Sequence, residues 1–126
     1  MNGSKILHQK LVTYAKQHGQ KISIIETVTD NKITYFELLS DILSLQNFLG
    51  SKPQTIIVAT PGGIINSIIW FTSLIFGHFL IPLSSNTTQF EYNELVLKHI
   101  PDFLITETGK WITTSETKQL TLAQLQ

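Results

Sequence analysis

Residues 55–83 read TIIVATPGGIINSIIWFTSLIFGHFLIPL, and this stretch decides the fold. Residues 55–60 form a continuous apolar run of strand length, which is typical of a strand buried on both faces in a parallel sheet. Pro61-Gly62-Gly63 ends that run. Residues 64–76 are apolar over a helical length, and residues 79–83 predict a second buried strand. A strand, a helix and a strand joined by short loops predict a parallel β–α–β unit.

The segments on either side extend the same pattern. Residues 4–18 predict an amphipathic helix, and residues 22–28 predict a strand that enters a hairpin at residues 29–32. Thr34 and Glu37 have the spacing of a capping box, which predicts a helix from Thr34 to Gly50. A second capping box at Thr88 and Glu91 predicts a helix to about residue 99, followed by a strand at residues 102–106. The predicted buried faces of the first two helices consist of Leu7, Leu11, Tyr14 and Ala15, and of Leu38, Leu39, Ile42, Leu45 and Leu49.

This element order predicts an α/β fold, with a mostly parallel sheet and helices on both faces. We expect residues 1–126 to form a single domain, because the length suits one hydrophobic core. Residues 111–114 are a candidate further strand. We expect residues 115–126 either to be disordered or to form a truncated element.

Composition excludes several functional classes. The 126 residues contain nine lysines and nine acids, so the formal net charge is zero, and only 14% of residues are charged. A balanced charge argues against a nucleic-acid partner. Arginine is absent, which excludes a bidentate guanidinium clamp, and cysteine is absent, which excludes disulfides and thiolate zinc sites. The N-terminus lacks the apolar segment of a signal peptide, so we expect a cytoplasmic protein.

A membrane-spanning helix is the alternative for residues 64–83. No Asp, Glu, Lys or Arg occurs between residues 53 and 90, and twenty apolar residues can cross a bilayer. Polar residues interrupt the run, however, and no lysine cluster flanks it. We therefore expect membrane association to be unlikely and favour the β–α–β interpretation.

The side chains that could carry chemistry form no catalytic constellation. Pro61-Gly62-Gly63 lacks the spacing of a dinucleotide or phosphate loop, so we favour a tight turn from strand to helix. Ser84-Ser85 follows a strand but lacks the surrounding glycines of a nucleophile elbow. Trp70 and Phe71 are expected to lie in the core.

The histidines and glutamates also suggest no site. No metal-ligand spacing relates the four histidines, which are His8, His18, His78 and His99. We expect His78 to be a core residue with its hydrogen bonds satisfied. No acid pair is indicated among the glutamates, which are Glu26, Glu37, Glu91, Glu94, Glu107 and Glu116. We therefore predict no catalytic, cofactor-binding or metal-binding residue in this chain.

An ordered set of segments resembles a known superfamily. Thr34-Tyr35-Phe36-Glu37-Leu38 opens a helix after a turn. Ile56–Pro61 is a strand ending at proline, and Phe79–Leu83 is an apolar strand with Pro-Leu after a glycine. Asn93–His99, followed by Pro101–Ile105, is a helix and then a strand that starts near proline. From about residue 7 to residue 106, the chain resembles the N-terminal region of adenylate-forming (AMP-binding) enzymes, which include acyl-CoA synthetases, fatty acyl-AMP ligases and adenylation domains.

The resemblance implies a scaffold role. Enzymes of that superfamily use ATP and Mg²⁺ to activate a carboxylate, but no segment here matches their phosphate loop, their adenine and ribose motifs or their C-terminal domain. We therefore expect the isolated chain to be an inactive structural subdomain without a cofactor of its own. Its expected partner is the remainder of the synthetase, or a second copy held by exposed apolar surface. The alternative is a free-standing, non-catalytic protein-interaction module of the same fold.

Overall fold

The structure is a computed structural model that describes residues 3–60, 62–84, 86–106 and 117–121. The helices are α1 (Gly3–His18), α2 (Tyr35–Leu49), α3 (Ile64–Phe76) and α4 (Gln89–His99). The strands are β1 (Ile22–Ile25), β2 (Lys32–Thr34), β3 (Thr55–Ala59), β4 (Phe79–Pro82), β5 (Phe103–Thr106) and β6 (Lys118–Thr121).

Side-chain caps set where α2 and α4 begin. The Glu37 N–H donates to Thr34 Oγ1 (3.1 Å), and the Thr34 N–H donates to Glu37 Oε1 (2.9 Å). Thr88 and Glu91 make the same reciprocal pair at the start of α4. Each box satisfies backbone N–H groups that a helix cannot pair internally. Both predicted capping boxes are therefore confirmed.

The described residues divide into two compact units. The first unit comprises residues 1–52 and 62–77, and it contains α1, α2, α3 and the hairpin. Strands β1 and β2 pair antiparallel, with a register shift between Ile22 and Ile24. The three helices contact one another, and the apolar faces they bury include Leu11, Leu38, Ile42, Leu45, Leu49, Ile68 and Ile69.

The second unit comprises the described residues within 53–60 and 78–121 and contains the parallel sheet. Its strand order is β4-β3-β5-β6, and all three neighbouring pairs are parallel. Ile56 and Ile57 are both fully buried although successive strand residues point to opposite faces, so both faces of β3 are covered. Tyr92 of α4 packs with Ile57 and Leu104, which places α4 on one face of the sheet.

The predicted α/β class and the mostly parallel sheet are confirmed. Every predicted helix is present, with bounds that differ by at most a residue or two. The hairpin is also present, but its first strand ends at Ile25, three residues before the predicted end at residue 28. β6 lies within residues 115–126, whereas residues 111–114 and 122–126 lie outside the described part of the chain. The expectation of a single domain over residues 1–126 stays a prediction.

Three expectations about burial are wrong. β4 is an edge strand of the described sheet, so it has one neighbour, and Phe79 is 59% exposed. Tyr14 is exposed on α1 and stacks its ring near that of Tyr35, with centroids 5.6 Å apart. Trp70 is also exposed, because it lies about 200° around α3 from the buried Thr72.

Within the described residues, no helix is both long enough and apolar enough to span a bilayer.

Candidate functional site

Hydroxyl side chains lie at the carboxyl ends of the parallel strands in the second unit. Ligands of open α/β sheets bind beyond these ends, where the strand order reverses. Here the chain runs from β3 to β4 on one side and returns to β5 on the other, so the reversal lies between β3 and β5. Thr60 follows β3 and Thr106 ends β5, with Ala59 and Thr106 paired in register. This edge is the candidate site that the topology selects.

Among the hydroxyl side chains at the carboxyl ends of the strands, Thr106 is unusual in its burial and hydrogen bonding. Its side chain is 2% exposed, and its Oγ1 has no hydrogen-bond partner among the described residues. A buried hydroxyl without a partner destabilises the folded state, because it has lost its bonds to water. Ser84, which follows β4, is already used in a turn: its Oγ accepts from the Asn86 N–H at 3.1 Å.

The described side chains at this edge offer no positive charge to a phosphate. Thr60, Ser84, Thr106 and Thr121 are neutral, and the sequence from residue 53 to residue 90 carries no charged side chain. Lys118 lies at the opposite end of the sheet, at the start of β6, with its Nζ 6.0 Å from the centre of the Phe103 ring. Within the described residues, no group of three His, Cys, Asp or Glu side chains could hold a metal ion. The described residues of this edge can donate and accept hydrogen bonds, but among them there is no cation and no general base.

Polar side chains hold the amino ends of the strands in place. Nδ1 of His78 accepts from the Gln54 N–H at 3.0 Å, and Asp102 Oδ2 accepts from the Thr55 N–H at 2.9 Å. Burial lowers the pKa of His78, which favours a neutral ring. Because Nδ1 accepts a hydrogen bond, the proton of that neutral ring lies on Nε2. The prediction that His78 is a satisfied core residue is therefore confirmed.

Glu26 occupies the start of α3 in the first unit. The Ile64 N–H donates to Glu26 Oε1 at 2.7 Å, and the Thr29 hydroxyl donates to Oε2 at 2.6 Å. These bonds lower the pKa of Glu26, with the backbone bond from Ile64 contributing most. Negative charge is favourable at a helix N-terminus, which is where a phosphate would otherwise bind.

The Gly62-Gly63 turn is shaped around that carboxylate. Both glycines have positive φ, 98° and 85°, and a Cβ on Gly63 would lie 2.5 Å from Glu26 Oε1. The chain's own carboxylate thus takes the place of an external anion, which supports the tight-turn interpretation. Sequence reasoning missed this role of Glu26, because its partner lies 38 residues further along the chain. The only signal was an acid in the hairpin with no assigned role.

The remaining candidate residues are dispersed. His8 packs edge-on against Phe76, His18 lies near Tyr14, and His99 lies near Phe79. Ser85 lies outside the described residues, as do Glu107 and Glu116, and Phe71 is half-buried. The described structure brings none of these side chains together, and the prediction that the chain has no site residues stays a prediction.

Comparison with solved structures identifies the fold. No protein-family model and no curated protein matches this sequence. The structure is similar to the N-terminal subdomain of Klebsiella oxytoca NpsA in complex with 3-hydroxyanthranilyl-AMSN, with a TM-score of 0.71 and 17% identity over 95% of this chain and 31% of that one. It is also similar to VinN in complex with L-aspartate, with a TM-score of 0.74 and 16% identity over 94% of this chain and 35% of that one.

A third similar structure is NpsA-ThdA, an artificially fused adenylation–PCP di-domain from Klebsiella oxytoca. Its TM-score is 0.72 and its identity 17%, over 94% of this chain and 22% of that one. The chain thus spans about a fifth to a third of the length of the structures it matches. At this level of identity, the similarity establishes the fold alone, which is that of an adenylation enzyme's N-terminal subdomain.

Proposed function

We propose that this chain is the N-terminal structural subdomain of an AMP-forming enzyme that adenylates an acyl or aryl carboxylate, of the acyl-CoA synthetase or ligase type. One observation carries the proposal: 95% of the chain matches the N-terminal subdomain of NpsA in fold. The ordered segments that resemble adenylate-forming enzymes in sequence add independent support. We place the enzyme in the cytoplasm, in keeping with a chain that has no cysteine.

The full reaction needs groups that this chain lacks. In it, a carboxylate oxygen attacks the α-phosphorus of ATP and pyrophosphate leaves, giving an acyl-adenylate, with Mg²⁺ offsetting the phosphate charge. Protein cations and backbone N–H groups normally stabilise such a transition state. Among the described residues, the carboxyl edge of this sheet carries hydroxyls without a cation, and Glu26 occupies the N-terminus of α3. We therefore propose that the chain alone is inactive.

The proposed contribution of the chain is a rigid support. β3 and β5 are buried on both faces, and polar bonds from His78 and Asp102 fix their amino ends. Packing of this kind holds neighbouring elements in place without taking part in the reaction. The proposed partner is the remainder of the synthetase.

Pyrophosphate release tests the proposed inactivity. The purified chain is incubated with ATP, Mg²⁺ and a panel of fatty, aryl and amino acids, beside a complete adenylating enzyme as positive control. We expect pyrophosphate from the control only. Carboxylate-dependent release by the chain itself would overturn the proposal.

A free-standing interaction module of the same fold is the second candidate. Exposed apolar side chains favour it, notably Val28 (95% exposed) and Phe90 (72%), since such residues often mark interaction surfaces. An immunoblot of the source cells with an antibody against this chain separates the two. A band several times heavier than 14.2 kDa supports the subdomain, whereas a band at 14.2 kDa supports the module.

A further inference from the structure

The outer face of α4 carries an apolar stripe that the described residues leave uncovered. Phe90 and Leu97 are seven residues apart, two helical turns, so they lie on the same side of α4. They are 72% and 77% exposed, and Ile100, just beyond the helix, is 75% exposed. The opposite side of α4 carries the buried Tyr92, which packs against the sheet. We call Phe90, Leu97 and Ile100 the α4 stripe.

Ile100 adds a second, independent observation. It ends α4 in the left-handed conformation, with φ 46° and ψ 64°. Glycine or asparagine normally takes this position, because a β-branched side chain there is strained. The chain gains no burial from this isoleucine. Ile100 therefore adds a third exposed apolar side chain to the α4 stripe, at a position where an isoleucine is unfavourable for the isolated chain.

The charges on α4 indicate which occupant fits. Glu91 and Glu94 lie in the first half of the helix, and Lys98 lies in the second half with His99. Neither Glu94 nor Lys98 forms an ion pair in the described part of the chain. A second α4 laid antiparallel brings the acidic half of one helix against the basic half of the other. A parallel arrangement would instead place like charges together.

We propose that the α4 stripe binds a second copy of this chain, with the two α4 helices antiparallel about a two-fold axis. A two-fold interface uses the same surface on both copies, so Phe90 of each copy lies alongside the Leu97–Ile100 end of the other. The zero net charge of the chain removes long-range repulsion between copies. This inference goes beyond the proposed function, because it holds whether or not the chain supports an adenylating enzyme.

The expected dimer is weak. One helix face buries less than the roughly 1,000 Å² that a stable, specific interface needs. We therefore expect a dissociation constant on the order of micromolar to hundreds of micromolar. Sedimentation velocity of the purified chain at increasing concentration should show its mass rising from 14.2 kDa toward twice that value.

Two matched variants locate the interface. Leu97→Glu places a charge in the α4 stripe, and Val28→Glu places the same charge on the hairpin, at a residue that is 95% exposed. Circular dichroism checks that both variants fold. We expect Leu97→Glu to weaken dimerisation by at least about tenfold and Val28→Glu to leave it unchanged. A monomer at every concentration, or equal effects of the two variants, would overturn the proposal.

Charge reversal tests the orientation. The variant Glu94→Lys keeps the Glu91 cap of α4 and puts a basic side chain one turn before Lys98, whereas Lys98→Glu makes the helix wholly acidic apart from His99. Circular dichroism checks that both variants fold. Each variant alone should dimerise less than the original chain, and a mixture of the two should form a one-to-one heterodimer. Stronger self-association of either variant alone would contradict the antiparallel arrangement. Failure of the mixture to associate would also overturn the proposal that a second copy binds the stripe. Mass is the readout throughout, so this test can fail independently of the pyrophosphate assay.

Discussion

Thr106 and Thr72 are two buried threonines in different situations. Thr72 is fully buried in α3, and its hydroxyl donates to the Ile68 carbonyl at 2.7 Å. Thr106 is equally buried at the end of β5, but its hydroxyl has no partner among the described residues. The net value of a buried hydroxyl depends on its partner, so the two side chains should respond differently to loss of the oxygen.

Replacing each threonine with valine measures that difference. We expect Thr106→Val to leave the free energy of unfolding unchanged or to raise it by up to about 1 kcal/mol, because it removes an unpaired polar atom. Thr72→Val, the matched control, should lower it by about 1 kcal/mol. Urea denaturation provides both values. An equal loss in the two variants would show that Thr106 has a hydrogen-bond partner in solution.

At the scale of elements, the hairpin and α3 are joined through one carboxylate. Glu26 sits in the hairpin and accepts from the first N–H of α3, and a side chain at Gly63 would have to displace its carboxylate. The N-cap residue of α3 is Gly63, which has no side chain to cap the helix, so the partial positive charge at the helix N-terminus is balanced by a carboxylate from a distant element. The stability of the contact between the hairpin and α3 should therefore depend on the ionisation of Glu26.

The pH dependence of the free energy of unfolding tests this contact between the hairpin and α3. The pKa of Glu26 is below its ordinary value in the folded chain, so its contribution is fully present above about pH 4.5 and is lost as the pH falls through the folded pKa. We expect Glu26→Gln to be less stable than the original chain at about pH 7, with the gap closing toward about pH 3. Urea denaturation across this range provides the comparison.

Glu94→Gln is the control for that series. Glu94 is an exposed helix residue, so its substitution should change stability little at any pH. If the difference in free energy of unfolding between the original chain and Glu26→Gln were the same at every pH, the contact with Ile64 would not depend on charge.

At the scale of the whole molecule, charge is scarce and balanced. Nine lysines offset nine acids, and the sequence pI is about 6.9. Fourteen per cent charged residues leave little repulsion between molecules near neutral pH, while large apolar side chains remain exposed. Both features favour association over dispersion.

Solubility should therefore be lowest near neutral pH. We expect the polyethylene glycol concentration needed to precipitate the chain to pass through a minimum at about pH 7 and to rise on either side. Lys52→Glu, at an exposed position, should move that minimum to lower pH by making the net charge negative. If the pH of minimum solubility were the same for Lys52→Glu and the original chain, apolar contacts alone would control solubility.

The local features of this protein can be predicted from its sequence. Helix limits follow from Thr34, Thr88, Gly50 and Gly77, because caps and left-handed turns depend on residues within four positions of each other. The apolar runs of β3 and β5 likewise predict buried strands, and their order predicts the α/β class. The zero net charge likewise follows directly from the composition.

Tertiary structure alone decided the remaining features. The strand order leaves β4 at an edge and exposes Phe79, although its sequence reads as a buried strand. Chain folding also brings Glu26 to Ile64 and leaves Thr106 buried without a partner among the described residues. Such contacts join residues far apart in the chain, and local periodicity carries no information about which distant element lies next to which. The candidate site could therefore be located only after the strands were placed side by side.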